Sequence, residues 1–230
     1  LDARMGEVYS GRYLRTGEIF QLQGEIRVSS PAEVILPEGE GWLACRFGQW
    51  QPLDLNAPAV HLSWDDAQAW CHWAGRRLPT EAQWEYSARS RGQFFAVATD
   101  DGNVEYGRNL PYAAQEEVIS PVEKMGRYPV GLFPPNPLGL YDMSDNGVEW
   151  VNDWYAADAY ATADARDPKG PATGIKKVIR SGAADSPLIG STVHRYSGNP
   201  LPTEKDDDTG KIVPSPSAFM PSLRCAVTPS

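Results

Sequence analysis

The sequence predicts a loop-rich α+β domain, and three observations carry that prediction. Two short helices with clear punctuation stand back to back in "HLSWDDAQAWCHWAGRRLPTEAQWEYSARS", residues 61–90. Strand-like apolar runs precede and follow them. The 230 residues include 21 glycines and 20 prolines, which interrupt any long regular element. With 41% hydrophobic and 22% charged residues the composition is that of an ordinary globular protein, and the length suits one domain or at most two small ones.

Taken in order, residues 1–56 give weak strand signals at Glu25-Ile26-Arg27-Val28 and Ala32-Glu33-Val34-Ile35-Leu36, broken by Pro31 and by Pro37-Glu38-Gly39. Ser63 is placed to cap the first helix, Asp65 and Asp66 complement its N-terminal dipole, and Gly75 is placed to stop it. Thr80 opens the second helix, and Gln83 completes a capping box. Ala67, Trp70, Cys71 and Ala74 share a helical face, so Trp70 and Cys71 read as core; Trp84 and Tyr86 read the same way. Residues 92–137 are polar and irregular, a length of loop that needs packing or bound ions to hold it. In "DNGVEWVNDWY", Asn146-Gly147 makes a tight turn, and Trp150, Val151, Trp154 and Tyr155 supply buried surface. "KKVIRSGA" reads as a strand, and "LRCAV" as the final one. The run Asp206-Asp207-Asp208 reads as a solvated loop tip ahead of a metal site.

The net charge of −9 and pI near 4.9 argue against a nucleic-acid or anionic-membrane partner and favour a neutral or basic one. No run of about 18 apolar residues is present to span a bilayer, and Leu1-Asp2-Ala3-Arg4 carries no signal-peptide core; an exported chain after cleavage looks the same. Cys45, Cys71 and Cys225 show no metal-ligand spacing and read as buried thiols or as one disulfide with one free thiol. His61, His72 and His194 lack ligand spacing and read as hydrogen-bonding residues. There is no G-x-S-x-G elbow, P-loop or G-x-G-x-x-G.

Together "HLSWDDAQAWCHWAGRRLPTEAQWEYSAR", "NPLGLYDMSDNGVEW" with "VNDWY", "KKVIRSGA" and "LRCAV", in this order, resemble the formylglycine-generating-enzyme (sulfatase-modifying factor) family over residues 57–227. The resemblance implies a C-type-lectin-like FGE-sulfatase fold, with two helices around a small mixed sheet, in a domain from 57 to 230. Residues 1–56 then form a divergent N-terminal segment packed on the same domain, lacking the "DxxEVTNxxY" stretch usual near the family's start. It also implies a Cys71–Cys225 disulfide and hence an oxidising compartment, periplasmic or exported, as in a lipoprotein whose anchor is missing from this chain.

Structural calcium is implied at Glu149 with the carbonyls of Ser144, Asp145 and Gly147, hard oxygen donors on a turn. Asp145 stands where the family has glycine and either adds a ligand or disturbs the turn. A second ion is implied at Asn109 and Leu110. Copper is not expected. The oxidase branch binds copper(I) through two thiolates soon after an "RGGS" strand, whereas here no cysteine lies between Arg180 and Arg224, and Ala183 replaces the serine. The iron histidines of the sulfoxide synthases, carried on a separate domain, have no counterpart either.

The functional expectation is therefore a non-catalytic binding protein. The branch it resembles comprises lipoprotein-like members of Gram-negative bacteria, among them immunity proteins against type VI secretion phospholipase effectors. A basic lipase toxin suits an acidic inhibitor, with Asp206, Asp207, Asp208 and the aromatics Tyr196 and Phe219 as the contact surface. The alternative is a copper-independent oxidoreductase of the siderophore-maturation type, with its cleft near Trp150, Arg180 and Asp185. Asp142, Asp145, Glu149 and Asp153 are further carboxylates near that cleft, and acid/base work needs two of them with separated pKa values.

Overall fold

The computed structural model describes the backbone of residues 8–16, 19–29, 42–46, 49–53, 58–60, 62–112, 115, 128–182, 190–200, 203–205, 212–214 and 221–227. Side chains are described for 58–60, 62–112, 115, 128–182, 190–200 and 221–227. The chain divides into two compact units, Leu1–Leu55 and Asn56–Ser230.

The first unit holds two antiparallel hairpins. Strands β1 (Val8–Thr16) and β2 (Ile19–Ser29) pair with a register irregularity between Ser10 and Arg12, and β3 (Trp42–Arg46) pairs with β4 (Gln49–Leu53). The expected strand at 25–28 falls inside β2, whereas 32–36 lies outside the described residues.

In the second unit, both helices start as their sequences dictate. Helix α1 (Trp64–Trp73) is capped by Ser63, whose hydroxyl accepts from the Asp66 amide while the Asp66 carboxylate accepts from the Ser63 amide. Gly75 in the left-handed region (φ 68°) ends it, a conformation that costs a glycine nothing. Helix α2 (Glu81–Ala88) carries the same reciprocal box between Thr80 and Gln83. The helices border a four-stranded mixed sheet in the order β10 (Ser222–Leu223), β5 (Glu149–Trp154), β6 (Lys177–Arg180), β7 (Tyr196–Gly198). β10 runs parallel to β5, and the other pairs are antiparallel. Strands β8 (Thr203–Lys205) and β9 (Ile212–Pro214) form a separate hairpin. The architecture is α+β with two helices around a small mixed sheet, as expected.

The core lies in two clusters. Ala67, Cys71, Leu78, Val148, Trp150 and Ile179 pack between α1 and the sheet, and Trp84, Ala88, Ala98, Met143, Val151 and Val178 pack beneath α2. Trp70 and Tyr86 correct the sequence-based expectation. They are 49% and 57% exposed, because only Ala67 and Cys71 of α1 and Glu81, Trp84 and Ala88 of α2 turn fully inward. The final strand is also shorter than expected. Only Ser222–Leu223 pairs with β5, and Ala226 forms an isolated bridge with Arg77.

Within the irregular region, residues 92–112 are held by contacts to the rest of the second unit. Val97 bridges Ser191, the Thr192 amide and hydroxyl donate to the carbonyls of Ala96 and Phe95, and the Ala98 amide donates to Ser144 Oγ at 2.6 Å. This seam requires glycine at 190, where a Cβ would collide with the Ser144 carbonyl. Among the described residues no helix is long and apolar enough to cross a membrane.

Cys71 and Cys225 form the disulfide, with Cα atoms 5.5 Å apart and a sequence separation of 154. Closing so long a loop stabilises by about 5 kcal/mol in the chain-entropy model. Replacing both cysteines by alanine is therefore expected to lower the guanidinium unfolding free energy by about 2–5 kcal/mol. A loss below 0.5 kcal/mol, on the order of a surface substitution, would show that the bridge does not hold the fold.

Candidate functional site

A cavity of about 520 Å³ opens where the turn before β5 meets the end of β10. Its polar lining comes from Asp142, Asn146, Glu149 and Arg224, and its apolar lining from Tyr141 and Leu223 among others. Glu149 is buried and fully engaged. Its Oε2 accepts from the Trp84 indole at 2.7 Å and from Arg224 Nε at 3.1 Å, and its Oε1 accepts from an Arg224 guanidinium nitrogen at 2.8 Å. Asp142 sits in the left-handed region (φ 57°), where its Oδ2 accepts from the Gly131 amide at 2.8 Å. Burial raises its pKa against the opposing hydrogen bond from Gly131.

Of the implied calcium donors, Glu149 and Gly147 line this cavity, whereas Ser144 and Asp145 do not. Ser144 points its hydroxyl at Ala98, and Asp145 accepts from the Tyr128 hydroxyl at 3.0 Å. Asn146 clips the Tyr128 backbone through both amide atoms. Asp145 in place of glycine therefore serves to pin Tyr128. As arranged, a guanidinium already holds both oxygens of Glu149. Asn109 and Leu110 are likewise engaged within the chain. Asn109 bonds to Glu105, Asp100 and Asn103, and Leu110 accepts from Gly107, while Arg108 pairs with Asp100, Asp101 and Glu105.

A second polar centre lies at the end of β6. Arg180 is fully buried, donating to Glu81 at 2.7 Å, to Glu85 at 3.0 Å and to the Thr192 carbonyl, and it lies over the Trp84 ring. Arg195 grips both oxygens of Glu81 and sits against the rings of Tyr155 and Tyr160. Burial and the neighbouring Glu81 push the Tyr160 hydroxyl up to about 12, and it donates to Glu85 at 3.0 Å. The next residue, Ser181, is fully buried in the left-handed region (φ 72°), and its hydroxyl has no hydrogen-bond partner among the described residues.

Beside this centre, Asp153 accepts the Glu81 amide at 2.8 Å, and burial pushes it up to about 6. Lys177 lies between the Trp64 and Trp154 rings, 3.9 and 3.8 Å from their centres, and donates to the Asn152 carbonyl. Burial lowers it to about 8.

Tyr196, expected as an exposed contact, is half-buried against the first core cluster and His194. Asp185, Asp206, Asp207, Asp208 and Phe219 lie outside the described residues. Sequence reasoning gave no role to Tyr141, Arg224, Glu81, Arg195 or Tyr160. Their residue types were visible, but their partners stand 65 or more residues away in most cases, and no local pattern encodes such pairing.

A family model described as a sulfatase-modifying factor enzyme 1-like domain matches residues 46–203. The formylglycine-generating enzyme of Thermomonospora curvata is 33% identical over 193 residues, 74% of this chain and 61% of its own length. A Bos taurus protein named inactive C-alpha-formylglycine-generating enzyme 2 is 38% identical over 110 residues, 45% of this chain and 35% of its own. Among solved structures, Treponema denticola variable protein 1 shares the fold with a TM-score of 0.56 at 19% identity, over 76% of this chain and 72% of that one. The chain spans about half to three-fifths of the length of the formylglycine-generating enzymes it matches.

Two measurements test this geometry. Asp153 binds its proton more tightly when folded, with a pKa of about 6 against an ordinary value of 3.8, so its ionised form costs stability above pH 6 and the cost disappears as pH falls towards 4. Between pH 7 and 4 the wild type should gain on the order of 2–3 kcal/mol relative to Asp153→Asn in chemical unfolding. A constant difference between the two proteins would place Asp153 in a solvated setting. Dialysis against EDTA is expected to leave Tm unchanged to within about 1 °C, because Arg224 and Arg108 supply the positive charge; a loss of about 4 °C or more would restore a structural ion.

Proposed function

The chain belongs to the sulfatase-modifying factor enzyme 1-like family, and on that premise we propose that it is a non-oxidase member that works by binding a protein with a basic surface. The placement of its cysteines carries the proposal. The resemblance implies that the oxidase branch holds copper(I) on two thiolates soon after the strand that corresponds to β6. Here no cysteine lies between Arg180 and Arg224, and Cys71 and Cys225 are bonded to each other. Cys45 alone does not supply two soft ligands. The bovine relative, inactive by its own name, gives precedent for a family scaffold without that activity.

The net charge of −9 favours a basic partner, since opposite fields raise the association rate and suppress wrong encounters. A secreted phospholipase toxin is the narrower partner class, and it rests on the resemblance alone. One observation favours a second reading, an oxidoreductase of the siderophore-maturation type. Strained residues cluster at reaction sites, and Ser181 combines left-handed strain, full burial and a hydroxyl with no hydrogen-bond partner among the described residues, beside Arg180.

The test is to incubate the chain with copper(I), oxygen, a thiol reductant and a cysteine-containing peptide, with a bacterial formylglycine-generating enzyme run in parallel. Mass spectrometry should find the cysteine intact with this chain and converted by the control. Conversion that scales with the amount of this chain would overturn the proposal.

A further inference from the structure

We propose that the cavity beside β10 is the seat for an arginine side chain of that basic partner, with its guanidinium on Asp142 and its stem against Tyr141. This rests on the binding function proposed above and assigns it a place.

The charges lining the cavity are Asp142, Glu149 and Arg224. Glu149 and Arg224 neutralise one another through two contacts, and the Trp84 indole takes a further bond to the same carboxylate. Asp142 receives a backbone bond from Gly131 and a side-chain bond from Asn146, feels the attraction of Arg224, and makes no ion pair among the described residues. One guanidinium thus faces two carboxylates, the lining keeps a net charge of −1, and a cation complements it. Burial already opposes ionisation of Asp142, so an arriving cation gains more there than at a solvated carboxylate.

The rest of the lining selects the shape of that cation. Tyr141 is 43% exposed and Val130 is 56% exposed, and both line the cavity. Leu132 and Leu138 of the same loop are exposed as well. An aromatic ring beside a carboxylate suits a planar guanidinium, which pairs with carboxylate oxygens while stacking on the ring. A bare metal ion uses none of the apolar surface and meets a Glu149 already held by Arg224. The conformation of Asp142 adds to the case. A non-glycine residue at positive φ stores strain, and such strain collects at ligand clamps.

The experiment is a titration of the 15N-labelled chain followed by amide NMR, with three probes run separately: N-acetyl-arginine N-methylamide, its citrulline analogue, and calcium chloride. The Gly131 amide, bonded to Asp142, is the reporter. The arginine probe should shift Gly131 and Gly147 saturably, and the citrulline probe should leave them in place. Asp142→Asn should weaken the arginine probe by about tenfold, as expected for loss of a charged partner. Asparagine tolerates the left-handed conformation, so this variant keeps the turn. Tyr141→Ala, checked by Tm, should weaken the probe several-fold through lost stacking. Equal shifts with citrulline, an unchanged affinity in Asp142→Asn, or shifts with calcium and none with arginine would each overturn the proposal. A flat titration together with intact cysteine in the oxidase assay removes the seat alone. Cysteine conversion removes the binding function whatever the titration shows.

Discussion

The fold of the second unit depends on finding a place for the guanidinium of Arg180. A fully buried cation costs several kcal/mol to desolvate, on the order of the stability of a whole domain, unless carboxylates meet it in good geometry. Glu81 and Glu85 come from α2, and the carbonyl of Thr192 comes from the segment leading into β7. The helix, the sheet and the connecting loop are thus fixed relative to one another by a single side chain. Arg195 completes the arrangement by sharing Glu81, so two cations face two carboxylates and the interior stays neutral.

Around that centre, indole nitrogens do the joining that regular hydrogen bonding does elsewhere. Trp64 donates to the Val151 carbonyl, Trp150 to the Leu62 carbonyl and Trp84 to Glu149. Each pairs a large apolar body with one polar tip, so each buries surface and fixes register together. In a domain whose described sheet has only four short strands, these links replace ladder bonds. The Trp84 bond matters most for the cavity. It holds Glu149 at the start of β5, and Glu149 in turn orients Arg224 at the end of β10, so the cavity wall is an extension of the core.

Local chemistry was legible in the sequence. Both capping boxes, the glycine stop of α1, the turn at Asn146-Gly147 and the strand containing Val178 and Ile179 are each encoded within a few residues. Helix face was less legible. On a ten-residue helix with tryptophans at positions 64, 70 and 73, periodicity alone does not say which indole turns inward, and the structure buries Cys71 while leaving Trp70 and Trp73 stacked in solvent. The site was least legible. "LRCAV" contains Arg224 in plain view, yet its partner Glu149 lies 75 residues earlier and meets it only because β10 pairs in parallel with β5.

Charge placement then connects scaffold and function. At Glu149 an arginine neutralises the carboxylate from within the chain, and in the 100–109 loop Arg108 offsets one of the three charges of Asp100, Asp101 and Glu105. The buried centre at Arg180 is neutral as well. Most of the net charge of −9 therefore resides on groups outside these clusters. Such a field extends about one Debye length, roughly 8–10 Å at physiological salt, and attracts basic surfaces without selecting among them. Selection needs a pocket with one unpaired charge of the same sign and an apolar wall. The cavity at Asp142 has both. The acidic surface sets how often a partner arrives, and that cavity sets which side chain stays.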